Sequence, residues 1–433
     1  MLSDWSGPLQ PPDEKGSTRE EIDYRTARWT PDGLRELAAR VAGGGEALRR
    51  LGRERALAAW SETVVAFRDP RSEERRAIEV PLARLCRLSP EGLAAGLEAV
   101  LGGVAEEPAA RLFAEAAAAR PDEAAAVYSG APTPAPWSPV LIILAANLPA
   151  LAVQPLLPAL ALGRPALVKS PSAEPLFAPA FAAALARREP ALGEAVAAVT
   201  WRGGDRALEA PLLEAAGRVL AYGERETLDD LAGRAPGKLV GYGPKTSLAV
   251  LGAGADPRRA AEGLARDVAL FDQRGCLSVA AVYTAGDAGE LAEALAAALS
   301  DLAARWPPGP VDPAAAAAVQ QLRAEADLAG LRRPPLPLPT GTVVVDPCAA
   351  FRPTPGLRTV RVHPLAGLAA LPELLAPWRG RLQGAALAGA GAEALRNALA
   401  GLGVSRFAVP GDLQSADATW HNGGRHPIDA LAG

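Results

Sequence analysis

From about Pro136 onward, short apolar runs alternate with stretches that have helical spacing. The runs include VLIILAA, PALVKS, AVAAVTW and RVLAYG, and each is apolar over almost its whole length. Strands that are covered on both faces have this composition, whereas strands with one face in water alternate between apolar and polar residues. The alternation therefore predicts an α/β fold of βαβ units with right-handed crossovers, which gives doubly wound parallel sheets.

This pattern divides the chain into four predicted parts. Residues 1–135 form an arm and a helical segment that packs on the first α/β domain, which spans 136–243. A second α/β domain spans 244–410, and a tail spans 411–433. The 433 residues, of which 49% are hydrophobic, are sufficient for two or three such cores.

Composition excludes several classes of protein. The chain has 45 Lys and Arg against 49 Asp and Glu, so no overall positive field marks a nucleic-acid binder. Its three cysteines cannot build a disulfide framework, which favours a reducing, cytoplasmic location. The N-terminus lacks the basic start and apolar run of a secretory signal. We therefore expect a cytoplasmic protein without nucleic acid as a partner.

One segment imitates a membrane span, because the 25 residues from Pro139 to Gly163 carry no charge. Prolines interrupt it at positions 149, 155 and 158, and polar residues at 147 and 154. Its longest unbroken apolar run, VLIIL, has the length of a buried strand. We expect no membrane span here, but a strand, a turn and a helix.

Ligands of doubly wound sheets bind beyond the carboxyl ends of the strands, which makes the turns NLP, KSPSAE, WRGGD and YGERET a candidate site. A second candidate is Cys276 in the turn DQRGC, where Gly275 permits close approach of another backbone. From spacing alone, Cys276 is as well explained by a small buried apolar residue as by a nucleophile. Cys86 and Cys348 have no comparable turn, and we interpret them as apolar.

Two sets of residues carry a resemblance to a known family. The string from Asn147 to Ser172 resembles the aldehyde dehydrogenase superfamily, in which an Asn-x-Pro turn and a helix with Pro-Ala-Leu lead to a strand ending in Lys-Pro-Ser. Lys169 and Pro171 match this pattern, with Ser170 interposed. Within the superfamily, FDQRGCLS, YGERET and the tail VSRFAVPGDLQSADATWHNGGRHPIDAL resemble the acyl-CoA reductase family that includes the fatty acid reductase of bacterial luminescence.

The resemblance implies an aldehyde dehydrogenase-like fold and a specific chemistry. Cys276 would attack an acyl thioester, and hydride from a nicotinamide would reduce the cysteinyl acyl-enzyme to an aldehyde. Asn147 would stabilise the oxyanion together with the Cys276 backbone N–H. Asn147 is also explained as a turn residue that caps the following helix.

One departure from the aldehyde-oxidising branch indicates the direction of the reaction. Those enzymes carry Glu-Leu-Gly-Gly-Lys where this chain has Gly241-Tyr242-Gly243-Pro244-Lys245. Gly241 therefore replaces the glutamate that would deprotonate a hydrolytic water. Without that base, an acyl-enzyme persists long enough to be reduced.

The resemblance places the cofactor in the first α/β domain. Lys169 would reach ribose hydroxyls or a 2′-phosphate with help from Ser172, and two glycines, 203 and 204, would allow a tight approach beside the adenosine. Gly223 opens the YGERET turn, where Glu224 stands in the place of the superfamily's serine and Thr227 is predicted to cap the helix. There is no G-x-G-x-x-G fingerprint. The cofactor that the family implies is NADP, with NAD as the alternative.

The remaining predictions concern substrate, partners and proton transfer. The substrate implied is an acyl-CoA or acyl-carrier thioester, and superfamily relatives pair as homodimers. A helix end before Cys276 opposes thiolate formation, so Arg274 or the bound cofactor would have to compensate. His421 and His426 are either acids for the leaving group or structural residues.

Three alternative functions stay open. Two use the same fold, namely an aldehyde dehydrogenase and an acyl-phosphate reductase. The third is a non-catalytic binding or assembly protein in which Cys276 is merely buried.

Overall fold

The computed structural model describes residues 28–119 and 138–431, so the predicted N-terminal arm and most of the proline-rich connector at 131–139 lie outside the described residues. Five helices come first: α1 Pro31–Leu51, α2 Arg53–Arg68, α3 Glu73–Cys86, α4 Pro90–Gly102 and α5 Glu106–Ala119. Thr30, Ser72 and Ser89 begin α1, α3 and α4, and each hydroxyl accepts a hydrogen bond from a backbone N–H three residues later. These caps confirm the helical character predicted for this part of the sequence.

The first sheet contains β1 Val140–Ile143, β2 Ala166–Ser170, β3 Val196–Thr200, β4 Arg218–Tyr222 and β5 Leu239–Tyr242. Its strand order is β3-β2-β1-β4-β5, and all pairs are parallel. The helices that accompany it are α6 Val153–Ala161, α7 Phe177–Arg188, α8 Pro190–Ala195, α9 Arg206–Ala215 and α10 Arg225–Arg234. The chain runs outward from β1 in both directions, which is the doubly wound arrangement.

The second sheet contains β6 Thr246–Leu251, β7 Val279–Thr284, β8 Thr342–Val345, β9 Thr359–Pro364, β10 Leu382–Ala388 and β11 Arg406–Ala408. Its order is β11-β10-β6-β7-β9-β8, again with every pair parallel. Its helices are α11 Pro257–Ala269, α12 Ala288–Arg305, α13 Pro313–Leu328, α14 Leu371–Leu375 and α15 Arg396–Gly401. The two parallel sheets and the helical N-terminal segment confirm the predicted fold class.

The N-terminal helices cover both faces of the first sheet. Leu34 and Val41 of α1 join a core with Leu141 and Leu167 of the sheet. On the other face, α2 to α5 pack with α6 and α7, where Trp60 meets Phe181 at a centroid distance of 5.2 Å. Burial on both faces explains why the strand runs contain almost no polar residue.

The segment that resembles a membrane span forms the buried strand β1 and the helix α6, as predicted. Across residues 28–119 and 138–431, no helix combines the length and the apolar character needed to cross a membrane.

Residues 411–431 of the tail pack on both halves of the molecule. Leu413 belongs to a core of the second sheet, whereas Ile428 and Leu431 belong to a core of the first. The tail ends in a short helix, α16 Pro427–Leu431, whose Leu431 carbonyl accepts a hydrogen bond from Arg164. The tail therefore crosses from one half to the other, past the cavity between them.

Candidate active site

A cavity of about 720 Å³ lies where the two sheets face each other. The first sheet contributes Asn147 and the turn after β4, and the second contributes the residues that precede β6 and β7. The segment 353–356 and tail residues between 414 and 425 complete the wall. Asn147, Gly223 and Cys276 are the predicted site residues that line this cavity.

The turn that carries Cys276 has an unusual backbone. We call residues 270–278, between α11 and β7, the cysteine turn. Phe271, Asp272 and Gln273 have φ values of 57°, 50° and 64°. Three successive non-glycine residues in the left-handed region are strained, and such strain persists only where surrounding contacts enforce it.

Polar contacts to distant residues hold two of these three positions. The Asp272 carboxylate accepts from Arg358 Nε at 3.0 Å and from the Gly309 backbone N–H at 3.0 Å. The Gln273 amide donates to the Val279 and Thr359 carbonyls, each at 2.8 Å, and accepts from the Thr359 N–H at 2.7 Å. The cysteine turn is therefore fixed from the second sheet.

Packing holds the third position. The Phe271 ring fills the space beside Gly96 of α4, where a Cβ would lie 2.6 Å from a ring carbon. Any larger residue at position 96 would displace the ring. The N-terminal helices thus support the cysteine turn as well as the first sheet.

Cys276 is a free, partly buried cysteine whose carbonyl accepts a hydrogen bond from Ser247 Oγ at 2.8 Å. Burial raises the pKa of its thiol to about 11, and the neighbouring Lys245 opposes that rise. Burial also lowers the pKa of the Lys245 amine, because it disfavours the charged form. Cys86 is buried, as predicted, whereas Cys348 is exposed, so its interpretation as a buried apolar residue is wrong. Neither lines the cavity.

Asn147 reaches the cysteine turn from the opposite sheet. Its Nδ2 donates to the Arg274 carbonyl at 3.3 Å, and its Oδ1 is buried without a partner among the described residues. The helix α6 begins at Val153, and its N-cap residue is Ala152, which makes no side-chain capping bond. The alternative interpretation of Asn147 as a helix cap is therefore wrong, because the amide bridges two segments 127 positions apart.

The other predicted cofactor residues lie along the carboxyl edge of the first sheet rather than on the cavity wall. Lys169, 7% exposed, sits on β2 with its Nζ 5.7 Å from the Trp201 ring centroid, and burial lowers its pKa. Ser172 is exposed just beyond β2. Gly203 and Gly204 follow β3, and a Cβ on either would meet no atom within 4 Å. A buried lysine and open glycine backbone thus lie along one edge of the sheet.

The prediction that Thr227 caps α10 is wrong. Glu224 is the N-cap residue, with φ −66° and ψ 160°, and its side chain makes no capping bond. Thr227 already lies inside the first turn, where its side chain is 3.6 Å from the position of a Cβ on Gly223. The helix therefore begins at Arg225, earlier than predicted, directly after the extended backbone of Glu224.

Neither predicted histidine lines the cavity. His426 Nε2 lies 3.0 Å from a Glu115 carboxylate oxygen, and its Nδ1 accepts from the Ile428 N–H at 3.2 Å. His421 is exposed, with its ring centroid 5.1 Å from that of His426. These contacts favour the structural interpretation for His426, which joins the tail to α5.

Sequence reasoning missed two features of the site. One is Lys245, the closing residue of GYGPK, whose charge acts on Cys276. The other is the stacked pair Tyr222 and Tyr242, with centroids 4.8 Å apart on adjacent strands. Lys245 belongs to the same motif as Gly241, but nothing in the sequence indicates that it acts on Cys276. Strand register, which places both features, cannot be obtained from motifs.

Comparison with solved structures shows the fold. The chain is similar to aldehyde dehydrogenase 21 from Physcomitrella patens, solved with succinate, at 14% identity over 95% of this chain and 91% of that one, with a TM-score of 0.68. It is also similar to a NAD-dependent benzaldehyde dehydrogenase from Corynebacterium glutamicum, at 15% identity over 93% and 92% of the two chains, with a TM-score of 0.62. The predicted aldehyde dehydrogenase-like fold is confirmed.

A bifunctional proline utilization A protein is similar at 16% identity with a TM-score of 0.69, and the match covers 95% of this chain and 43% of that one. The chain thus spans less than half the length of that larger protein. Among curated protein sequences, none matches the chain significantly. Residues 122–433 match the family model described as acyl-CoA reductase (LuxC). Since this match covers most of the sequence, the chain belongs to the LuxC acyl-CoA reductase family.

Proposed function

We propose that the protein reduces an acyl thioester, such as an acyl-CoA, to an aldehyde with NADPH through an acyl-enzyme on Cys276. Family and fold indicate an oxidoreductase that acts on an aldehyde or acyl group. The observation that carries the finer proposal is that a free cysteine and the Asn147 amide line the same cavity, with Asn147 bound to the cysteine turn through the Arg274 carbonyl. In this proposal, residues 136–243 bind the dinucleotide and residues 244–410 carry the nucleophile.

The proposed acylation uses groups that the cavity contains. The Cys276 thiolate attacks the carbonyl carbon of the thioester, and the oxyanion is stabilised by the Asn147 amide and the Cys276 N–H. Collapse of this adduct breaks the bond to the donor sulfur, which leaves as a thiol after taking up a proton. The acyl group then remains on Cys276 as a thioester.

The carboxyl edge of the first sheet fits a dinucleotide, because Lys169 supplies a cation and glycines 203 and 204 leave the backbone open. When bound, the nicotinamide supplies hydride to the acyl carbon. Asn147 then holds the resulting oxyanion, and its collapse releases aldehyde and restores the Cys276 thiolate. Lys169 favours NADPH through a 2′-phosphate contact, with NADH as the alternative.

The lining of the cavity, as far as the described residues form it, supports reduction over hydrolysis. At Gly241, a Cβ would lie 3.2 and 3.3 Å from the two Leu228 methyl carbons. An apolar side chain thus occupies the space beside the position where the aldehyde-oxidising branch has glutamate. Among the described residues, the carboxylate that lines the cavity is Glu224, which is exposed. An acyl-enzyme would therefore be protected from hydrolysis until hydride arrives.

Intact-protein mass spectrometry tests the proposal. Mixing the protein with acyl-CoAs of several chain lengths, without nicotinamide, is expected to add the acyl mass to Cys276, and NADPH is expected to remove it with release of aldehyde. Aldehyde-dependent reduction of NADP or NAD without CoA would instead indicate an aldehyde dehydrogenase. Acylation by acyl phosphate alone would indicate the acyl-phosphate reductase. No adduct on Cys276 with any donor would reject the acyl-enzyme and favour a binding protein.

Asn147→Ala is expected to lower turnover about 10²- to 10³-fold, because losing one oxyanion donor has an effect of this size. Single-turnover acylation of Cys276 and reduction of the acyl-enzyme should both slow, since each step passes through an oxyanion. Gln154→Ala is the matched control, because Gln154 is an amide of the same segment that also lines the cavity. Equal effects of the two substitutions would contradict the assigned role.

A further inference from the structure

We propose that Lys245 is the counter-ion that favours the thiolate form of Cys276. The inference rests on the proposed function of Cys276 as the nucleophile and assigns a residue to its activation. It answers a question that the sequence leaves open, namely which group offsets the unfavourable electrostatics of a cysteine that follows a helix end.

Strand register places the two side chains at the same edge. β6 and β7 are parallel neighbours in which Ser247 pairs with Val279. Lys245 precedes Ser247 by two residues, and Cys276 precedes Val279 by three. The Ser247 hydroxyl binds the Cys276 carbonyl at 2.8 Å, which fixes the two approaching segments against each other. Lys245 and Cys276 both line the cavity.

The tail covers Lys245 from the other side. A Cβ at Gly423 would lie 3.6 Å from Lys245 Nζ, so the tail backbone runs against the amine. Gly423 has φ 63° within a tail turn that Asn422 fixes by accepting from Gln383 Nε2 at 2.7 Å. The amine is therefore held between the tail and the cavity. Within the described ranges, no carboxylate lies within salt-bridge distance of Lys245.

The other charged or titratable groups on the cavity wall are less suited to this role. Arg274 directs its Nε to the Phe271 carbonyl at 3.1 Å, and Arg425 is exposed on the tail. Glu224 would oppose a thiolate, and burial raises the pKa of both phenols, Tyr222 and Tyr242, which keeps them neutral. Lys245 is thus the cation that lines the cavity with Cys276 on a segment held against the cysteine turn.

The electrostatic consequence has a definite sign. Burial raises the pKa of the Cys276 thiol, and the Lys245 charge opposes this rise. Removing the charge should therefore raise the thiol pKa further and reduce the thiolate fraction at neutral pH. An adjacent opposite charge typically shifts a pKa by about 1 to 3 units, so the thiolate fraction should fall at least about tenfold.

The test measures the rate of Cys276 alkylation by iodoacetamide at neutral pH in the full-length protein, with peptide mass spectrometry to separate the three cysteines. Lys245→Met is expected to slow this alkylation at least about tenfold. Lys245→Arg should restore most of the rate. Lys238→Met is the matched control. Lys238 comes just before β5, at the amino end of that strand, and donates to the Leu213 and Glu214 carbonyls.

An unchanged rate of Cys276 alkylation in Lys245→Met, with folding intact by circular dichroism, would overturn the inference. So would a rate in Lys245→Arg that is as slow as that of Lys245→Met. Failure of the proposed function gives a different result from failure of this inference. If the proposed function is wrong, acyl-CoA leaves Cys276 of the wild-type protein unmodified. Alkylation needs neither acyl donor nor nicotinamide.

Discussion

Cys276→Ala is expected to abolish aldehyde formation, with a loss on the order of 10⁴- to 10⁶-fold. The substitution removes the atom to which the acyl group would bind, so neither the acyl-enzyme nor its reduction can occur. Replacing the Cys276 thiol group by a hydrogen atom in a partly buried turn should leave the fold intact. Titration with NADPH should therefore show unchanged cofactor binding. Turnover is measured by the oxidation of NADPH with acyl-CoA as substrate.

The chain offers two matched controls for this substitution. Cys86→Ala removes a buried thiol of α3, and Cys348→Ala removes an exposed one. Neither residue lines the cavity, so both variants should retain turnover. Retained turnover in Cys276→Ala would reject the covalent route, whereas loss of turnover in all three variants would indicate a general effect of cysteine removal.

The sequence predicts the strands of both sheets because it encodes them locally. A strand covered on both faces must be apolar along most of its length, and a turn or a helix follows each such run, so β1 to β11 follow from composition and order. The end of α11 and the turn of Cys276 are also local features. The start of α10 is less evident, because Glu224 and Thr227 are both plausible from sequence and only the backbone of Glu224 decides between them.

The parts of the site that escape prediction join distant positions. Asp272 and Arg358 are 86 positions apart, and Asn147 and Arg274 are 127 apart. The left-handed backbone of Phe271 to Gln273 has no sequence signal, because no glycine marks it. Tertiary contacts impose that conformation, so it becomes visible only when the partners are placed. Sequence predicts a candidate nucleophile, but not the residues that contact its turn or act on its charge.

Arg358→Met is expected to reduce the free energy of unfolding by about 3 to 5 kcal/mol, because it leaves the Asp272 carboxylate buried without its cation. The side chains of Arg358 and Asp272 are 1% and 10% exposed, and Arg358 also donates to the Trp306 carbonyl at 3.0 Å. Burial lowers the pKa of Arg358, and Asp272 offsets this by stabilising its charge. Urea unfolding followed by circular dichroism measures the loss.

Arg352→Met is the matched control, because Arg352 forms an ion pair with Asp346 but is 50% exposed. Asp346 keeps a second partner in Arg361 at 2.8 Å, so this loss should stay within about 1 kcal/mol. The two variants thus remove the same charge from a buried and from a half-exposed pair. A difference of less than about 1 kcal/mol between them would mean that the buried pair contributes little to stability.

The position of the pair links stability to the site. Because Asp272 is one of the three strained residues before Cys276, losing its cation should release the cysteine turn as well as destabilise the fold. Cys276 alkylation should then change in Arg358→Met under conditions where the variant is still folded, but not in Arg352→Met. Destabilisation with unchanged alkylation would show that Gln273 and Phe271 suffice to hold the turn. A lower free energy of unfolding together with altered Cys276 alkylation in Arg358→Met would show that the buried pair positions the nucleophile.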